Sequence, residues 1–409
     1  MKLLALSWLA LGSAVQAQSP AAPPAVEATP AQEPPPEKPA PPPVVVTAEP
    51  GRGIVVKAGE RYSLGLRARI QLRETYLRAD GRDTSETNVK TLRLIVHGNV
   101  LAPELRYTIQ LAFGGPDFEA GSSSPIFDAY VDYTRWRDLN LRVGQFFVPF
   151  DRARTIREFA LQFVDRQLVV RELTLDRDVG VMLSSSDFLG LGERLAYQVF
   201  IGGGDGRNRY QGYESGALSV LRLTLRPFGA FDDDQEGDVT RAPRPRLAVG
   251  VGAAYNARTS RRNSTYGTPF TAGTTSYSHL AADVVFKYRG FSLLAEALWR
   301  KARENELEGL VNGARVLEPT RSGYGYLVQG GLLVSPKVEL TARWEELFTL
   351  RGTDPQFVQL ARTQGKQLGG GLNVYLNGHA FKVQGDYFYI FGPEGTPRHT
   401  ARLQLDASF

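Results

Sequence analysis

From Tyr62 to the last residue, apolar and polar positions alternate in one segment after another. Tyr62, Leu64, Leu66, Ala68, Ile70 and Leu72 share one parity, and Ser63, Arg67, Arg69, Gln71 and Arg73 share the other. A strand sends these sets to opposite faces of a sheet, whereas a helix would mix them. The alternation returns with Leu92, Leu94 and Val96 against Thr91, Arg93 and His97. It returns again with Leu280, Ala282, Val284 and Phe286 against His279, Asp283 and Lys287, and with Leu340, Ala342 and Trp344 against Glu339, Thr341, Arg343 and Glu345. Such segments begin near residues 62, 90, 104, 126, 139, 178, 194, 216, 246, 277, 290, 323, 337, 367, 380 and 399. Roughly 16 segments of about ten residues predict an all-β fold, a transmembrane antiparallel β-barrel with an even strand number.

The connections support this reading. Short links such as Arg289-Gly290, Ser335-Pro336 and Asn377-Gly378 alternate with longer polar ones, as short turns at one barrel end and long loops at the other require. The exception is Pro227 to Pro245, which falls where a short turn is due. A set of soluble β-sandwiches is the alternative, but sandwich strands are usually shorter and show one polar face to solvent. At the C-terminus, Ala401, Leu403, Leu405 and Ala407 alternate up to a terminal Phe409. This ending resembles the signal that outer-membrane barrels present to their assembly machinery.

The N-terminal part is different. Lys2 followed by the apolar run Leu3 to Val15 and the small residue Ala17 predicts a signal peptide over residues 1–17. Residues 18–57 then read as a disordered Pro/Ala-rich periplasmic linker, with proline runs at 34–36 and 41–43. Such a stretch favours an extended or disordered spacer over helix or ladder. The barrel is expected over residues 58–409.

Composition removes several chemistries. The chain has no cysteine, which excludes disulfides, thiolate metal sites and Cys nucleophiles. The net charge of +5 is spread through alternating strands, so a nucleic-acid partner is not expected. Four histidines, at 97, 279, 379 and 399, sit in no metal-spaced or Ser-His pattern. No cofactor, metal or enzymatic activity is expected. Gly202 to Gly206 ends a strand with no helix after it and reads as a loop rather than a dinucleotide fingerprint. Phe231 to Asp238 has calcium-loop spacing but carries Pro243 where the last glutamate belongs, so it reads as a solvated acidic turn.

Asp128-Ala129-Tyr130-Val131-Asp132-Tyr133, then Leu141-Arg142-Val143-Gly144-Gln145-Phe146-Phe147-Val148-Pro149-Phe150, and after a long loop Arg177-Asp178-Val179-Gly180, resemble the phosphate-selective porin O and P family. The resemblance covers about residue 60 to 409. It implies trimeric 16-stranded channels in the bacterial outer membrane, with basic residues along the pore and the loop over residues 151–177 folded inward as a constriction. On this basis the expected anion path comprises Arg67, Arg69, Arg73, Arg93, Arg106, Arg142, Arg152, Arg154, Arg157, Arg171, Arg177, Arg222 and Lys287. Arginine stays charged at any relevant pH, and its donor fork matches phosphate or carboxylate. The expected function is passive, anion-preferring diffusion of small solutes, with phosphate or polyphosphate as a candidate. The expected partners are small anions, outer-membrane lipid and lipopolysaccharide, the barrel-assembly machinery and two further copies of the chain. Asp128, Asp132, Asp283, Glu296, Glu339, Glu345 and Asp386 share the inward parity. The alternatives are therefore a general non-selective porin, or a structural barrel tied to the cell wall by its Pro-rich arm.

Overall fold

A computed structural model describes residues 43–118, 124–209 and 216–409; the expected signal peptide and the linker up to residue 42 lie outside them. The chain forms β1 (Val44–Glu49), β2 (Gly53–Ala58), β3 (Tyr62–Ala79), β4 (Arg82–Val100), β5 (Ala102–Ala112), β6 (Ile126–Trp136), β7 (Leu139–Phe147), β8 (Arg177–Ser185), β9 (Leu195–Gly202) and β10 (Ala217–Leu225). It continues with β11 (Arg246–Thr259), β12 (Thr275–Tyr288), β13 (Phe291–Ala302), β14 (Glu306–Val311), β15 (Ala314–Pro319), β16 (Gly323–Leu333), β17 (Val338–Thr349), β18 (Lys366–Asn377), β19 (Phe381–Phe391) and β20 (Arg398–Ser408). Among the described residues, three α-helices lie in loops: α1 (Arg152–Thr155), α2 (Leu168–Leu173) and α3 (Pro355–Gln364).

Each strand from β3 to β13 pairs antiparallel with the next, β13 pairs with β16, and the series runs on to β20, which returns to β3. The result is a closed antiparallel barrel of 16 strands. Closure leaves no free barrel edge, as hydrocarbon demands of a spanning sheet. Phe409 completes the seam: its N–H donates to the Ala68 carbonyl at 3.0 Å and its carbonyl accepts from Ala68 at 2.7 Å. On the inner face of that seam Arg69 donates to Asp406 at 2.9 Å and Arg73 to Gln404 at 3.0 Å.

The two parities separate as the alternation requires. Leu340 is 51% exposed on the outside, while Glu339, Arg343 and Glu345 are buried inside. Strand starts fall within two residues of the predicted ones except at β4, which begins at Arg82 instead of residue 90. Its added residues, Arg82 to Asn88, pair with the end of β3 as a projecting hairpin. Both faces of that hairpin are largely exposed, so no apolar parity marks it. The turn is Asp80-Gly81, both with left-handed φ, as a two-residue hairpin needs.

Residues 44–58 depart from the linker expectation. They form the β1–β2 hairpin, and β2 pairs with the first residues of β3. The run Val44-Val45-Val46-Thr47 is β-branched and suits a strand; the neighbouring prolines hide it from a composition-based reading. A second hairpin, β14–β15, stands in the loop between β13 and β16.

Candidate functional site

The segment between β7 and β8 folds into the barrel. Pro149 ends the ladder, and the apolar residues Val148, Phe150, Ala153, Leu168, Val169, Val170, Leu173 and Leu175 are all buried. They pack with inward residues of β10 to β17, among them Val220, Val285, Leu294, Leu298, Leu327 and Leu347. An apolar loop face against an apolar patch of the inner wall leaves water on both sides, so burial drives the docking.

The wall from β12 to β19 also holds the loop by its backbone. Glu296 accepts from Arg152 N at 3.1 Å and Ala153 N at 3.0 Å; Glu345 accepts from Val169 N at 3.1 Å; Asp386 accepts from Val164 N at 2.9 Å. Cations and amides take the carbonyls: Lys382 bonds Leu161 O at 2.8 Å, Asn373 bonds Gln162 O at 2.8 Å, Arg343 bonds Asp165 O at 3.1 Å and Arg300 bonds Glu172 O at 2.7 Å. Backbone groups of an irregular loop need partners when water is excluded, and this half of the wall supplies them. Of the inward acids flagged in the sequence, Glu296, Glu345 and Asp386 hold loop backbone, while Glu339 takes the Gln162 side chain at 2.6 Å and Asp283 takes Arg152 and Arg222.

The open space lies along β3 to β10. A small cavity of about 20 Å³ is ringed by Arg67, Arg69, Arg93, Arg157, Arg166 and Arg177, with Glu158 its one carboxylate. Ile95, Gln110, Phe147 and Phe159 complete the ring. A larger cavity of about 510 Å³ adjoins it, sharing Phe147 and Arg157. The larger space is lined by Arg106, Arg142, Arg152, Arg222 and Arg226, by Ser184, Ser185, Thr134, Thr224 and Gln198, and by Asp132 and Asp234. Every wall residue of both cavities comes from the β3–β10 half or the turns beside it.

Thus Arg67, Arg69, Arg93, Arg157 and Arg177 of the expected path meet at the narrow ring, and Arg106, Arg142, Arg152 and Arg222 reach the larger cavity. Arg73, Arg154, Arg171 and Lys287 line neither. Arg73 is taken up by Gln404, Val164 O and Asp165, Arg154 by Asp176 at 2.7 Å, and Lys287 by the Asp232 carbonyl at 2.7 Å. Arg171 is exposed on α2.

The ring arginines differ in their partners. Arg177 is 1% exposed, bonds Asp128 at 2.7 Å and lies between the Phe127 and Phe147 rings, 3.6 and 3.7 Å from their centroids. Arg93 pairs with Asp117 at 2.7 Å and Glu158 at 3.0 Å. Among the described residues Arg67 makes no carboxylate contact within salt-bridge distance; it donates to Gly51 O at 3.3 Å and lies 5.9 Å from the Phe159 centroid. Arg166 donates to the carbonyls of Ala153 and Ile156. Burial and the neighbouring Arg154 bring its pKa down to about 10, so it is charged at neutral pH. Burial pushes the Glu158 carboxyl up, but Arg93, Arg166 and Arg69 outweigh it and hold it below the usual carboxylate range.

Arg226, Asp234 and Glu236 were absent from the sequence-based path. All three belong to the long turn at 226–245, whose length was the available signal. The turn does not conform to the solvated reading: Asp233, Glu236 and Asp238 are buried. Asp233 pairs with Arg152 and Arg226, and Asp238 accepts from Ala242 N and Gly290 N, so each carboxylate exchanges water for donors. Asp234 stays accessible in the larger cavity; removal from bulk water and the neighbouring Asp233 push its carboxyl up from the ordinary range.

No curated protein matches the sequence. Among solved structures, the chain is similar to the outer-membrane channel DcaP of Acinetobacter baumannii, with 15% identity, TM-score 0.53 and coverage of 86% of this chain and 99% of that one. It is similar to Salmonella typhi OmpF, with 11% identity, TM-score 0.55 and coverage of 89% and 100%. It is also similar to Pseudomonas putida OprB, with 11% identity, TM-score 0.53 and coverage of 85% and 94%. At these identities the likeness concerns the fold. The family described as phosphate-selective porin O and P matches residues 64–388, and the chain belongs to that family, a porin of the bacterial outer membrane.

Proposed function

We propose that the channel passes small anions by passive diffusion in preference to cations, with phosphate among them. The observation that carries this is the ring of Arg67, Arg69, Arg93, Arg157, Arg166 and Arg177 around the narrow cavity, faced by Glu158 alone. A permeating anion loses part of its hydration there and meets guanidinium donors in exchange. The acids of the β12–β19 wall do not cancel this charge locally, because they are engaged with the loop. Arg157 belongs to both cavities and passes the ion from one to the other. Several arginines keep carboxylate partners behind them, so no single site binds tightly, as throughput requires.

The same reading carries a homotrimer set in outer-membrane lipid and lipopolysaccharide. It includes removal of residues 1–17 and delivery by the barrel-assembly machinery through the strand ending at Phe409. The exposed Phe409 side chain beside its backbone pairing with Ala68 supports the last step.

The test is the reversal potential of the purified barrel in a planar bilayer under a KCl gradient. A potential on the anion side, with chloride current reduced by added phosphate, is expected. A cation-side or zero potential means a general porin, and no conductance means a structural barrel.

A further inference from the structure

The turn between β10 and β11 lies at the barrel end where the other turns are short, which is the periplasmic end. Its prolines at 227, 243 and 245 prevent the flanking strands from zipping into a hairpin. The segment instead runs into the lumen beneath the constriction loop. Glu236 is its centre: it accepts from Gln162 N at 2.6 Å and Gln167 Nε2 at 3.2 Å, both in the loop, and from Gln329 Nε2 at 2.7 Å on the β16 wall. The Glu236 N–H donates in turn to the loop carbonyl of Ala160 at 3.2 Å.

The turn then reaches the far wall. A Cβ on Gly237 would lie 3.0 Å from Glu339 Oε1 of β17 and 3.5 Å from the Tyr375 hydroxyl of β18. Gln235 meets His379, in the turn after β18, at 2.8 Å. The segment therefore spans the periplasmic mouth from β10 to β18, and both cavities lie to one side of it, along β3 to β10.

We propose that this turn is a lumenal crossbar. It fixes the constriction loop from the periplasmic side and closes the β11–β18 part of the mouth, so that solutes leave past the β3–β10 wall. Glu236 is its positioning residue: among the described residues no other group receives the Gln162 N–H, and without it Gln167 and Gln329 lose an acceptor inside the barrel. The inference rests on the channel and is indifferent to the sign of its selectivity.

The test compares single-channel conductance and open-state noise of the full-length protein with Glu236→Ala, Glu236→Gln and a variant whose residues 230–241 are replaced by two glycines. Folding is checked by heat-modifiable electrophoretic mobility. Thr240→Ala serves as control, since that side chain is exposed on the same turn. The shortened turn should raise conductance about twofold by opening that part of the mouth. Glu236→Ala should add rapid closures, with Glu236→Gln intermediate. Folded variants with parental conductance and noise overturn the proposal; if Glu236→Ala fails to fold, parental behaviour of Glu236→Gln and the shortened turn does the same. Reversal potential in the same records reports separately on the anion reading.

Discussion

The two halves of the barrel wall use charge differently. Along β12 to β19, inward carboxylates, cations and amides bond the backbone of the constriction loop, and little of their charge reaches open space. Along β3 to β10, the inward arginines other than Arg73 each border one of the two cavities. Counting inward charges would make the lumen a mixture of both signs, as the sequence suggested. Their placement makes one half a cradle and the other a path. A charged residue on a pore wall therefore has to be read by what it bonds before it is read as selectivity.

The sharpest way to break this comparison is at Arg177, which lies in the path half but is bonded like a cradle residue. Arg177→Ala leaves Asp128 buried without its closest cation and empties the space between Phe127 and Phe147. Breaking a buried ion pair costs up to about 3–5 kcal/mol; Arg157 at 3.2 Å still partners Asp128, so urea unfolding of the detergent-folded barrel should register the lower end of that range. Next is Glu296→Ala in the cradle. It strips the Arg152 and Ala153 N–H groups of their acceptor. The expected cost is about 1–3 kcal/mol, with more current noise and an unchanged reversal potential.

Arg67→Ala in the path should do the reverse. Its one direct bond among the described residues is a long one to Gly51 O, so stability should stay within about 0.5 kcal/mol. The anion-to-cation permeability ratio should fall about two- to fivefold at low salt and less at high salt, where screening shortens the reach of the ring. A fall no larger than that of an outward substitution would remove Arg67 from the path.

The smallest effect concerns pH. Asp234 has a raised pKa, so it takes up a proton at higher pH than an ordinary carboxylate. As pH falls below neutrality the larger cavity loses a negative charge and its anion preference should rise. The arginines stay protonated throughout. Asp234→Asn should show the raised preference already at neutral pH and flatten the dependence; a parental pH profile in that variant would place the titrating group elsewhere.

Much of this was legible before any fold was known. Strand parity at Leu340 against Glu339, Arg343 and Glu345, and the closing strand up to Phe409, follow from a two-residue period that is local to each segment. The β1–β2 hairpin and the first residues of β4 were not legible, because neither is half-buried in a way that imposes alternation. Arg73 and Lys287 had the right parity, yet they serve loop and turn carbonyls. Parity gives the face of a residue and not its partner.

The sequence by itself determined the barrel, its strand number, the inward arginines and the odd length of the turn after β10. Each is carried by periodicity, or by prolines that forbid a ladder. Only the tertiary structure decided which inward charges meet water, which hold the loop, and that Glu236 of the turn lies under Gln162. Those outcomes depend on contacts between residues dozens to hundreds of positions apart, inside a volume whose free space exists only once the barrel has closed.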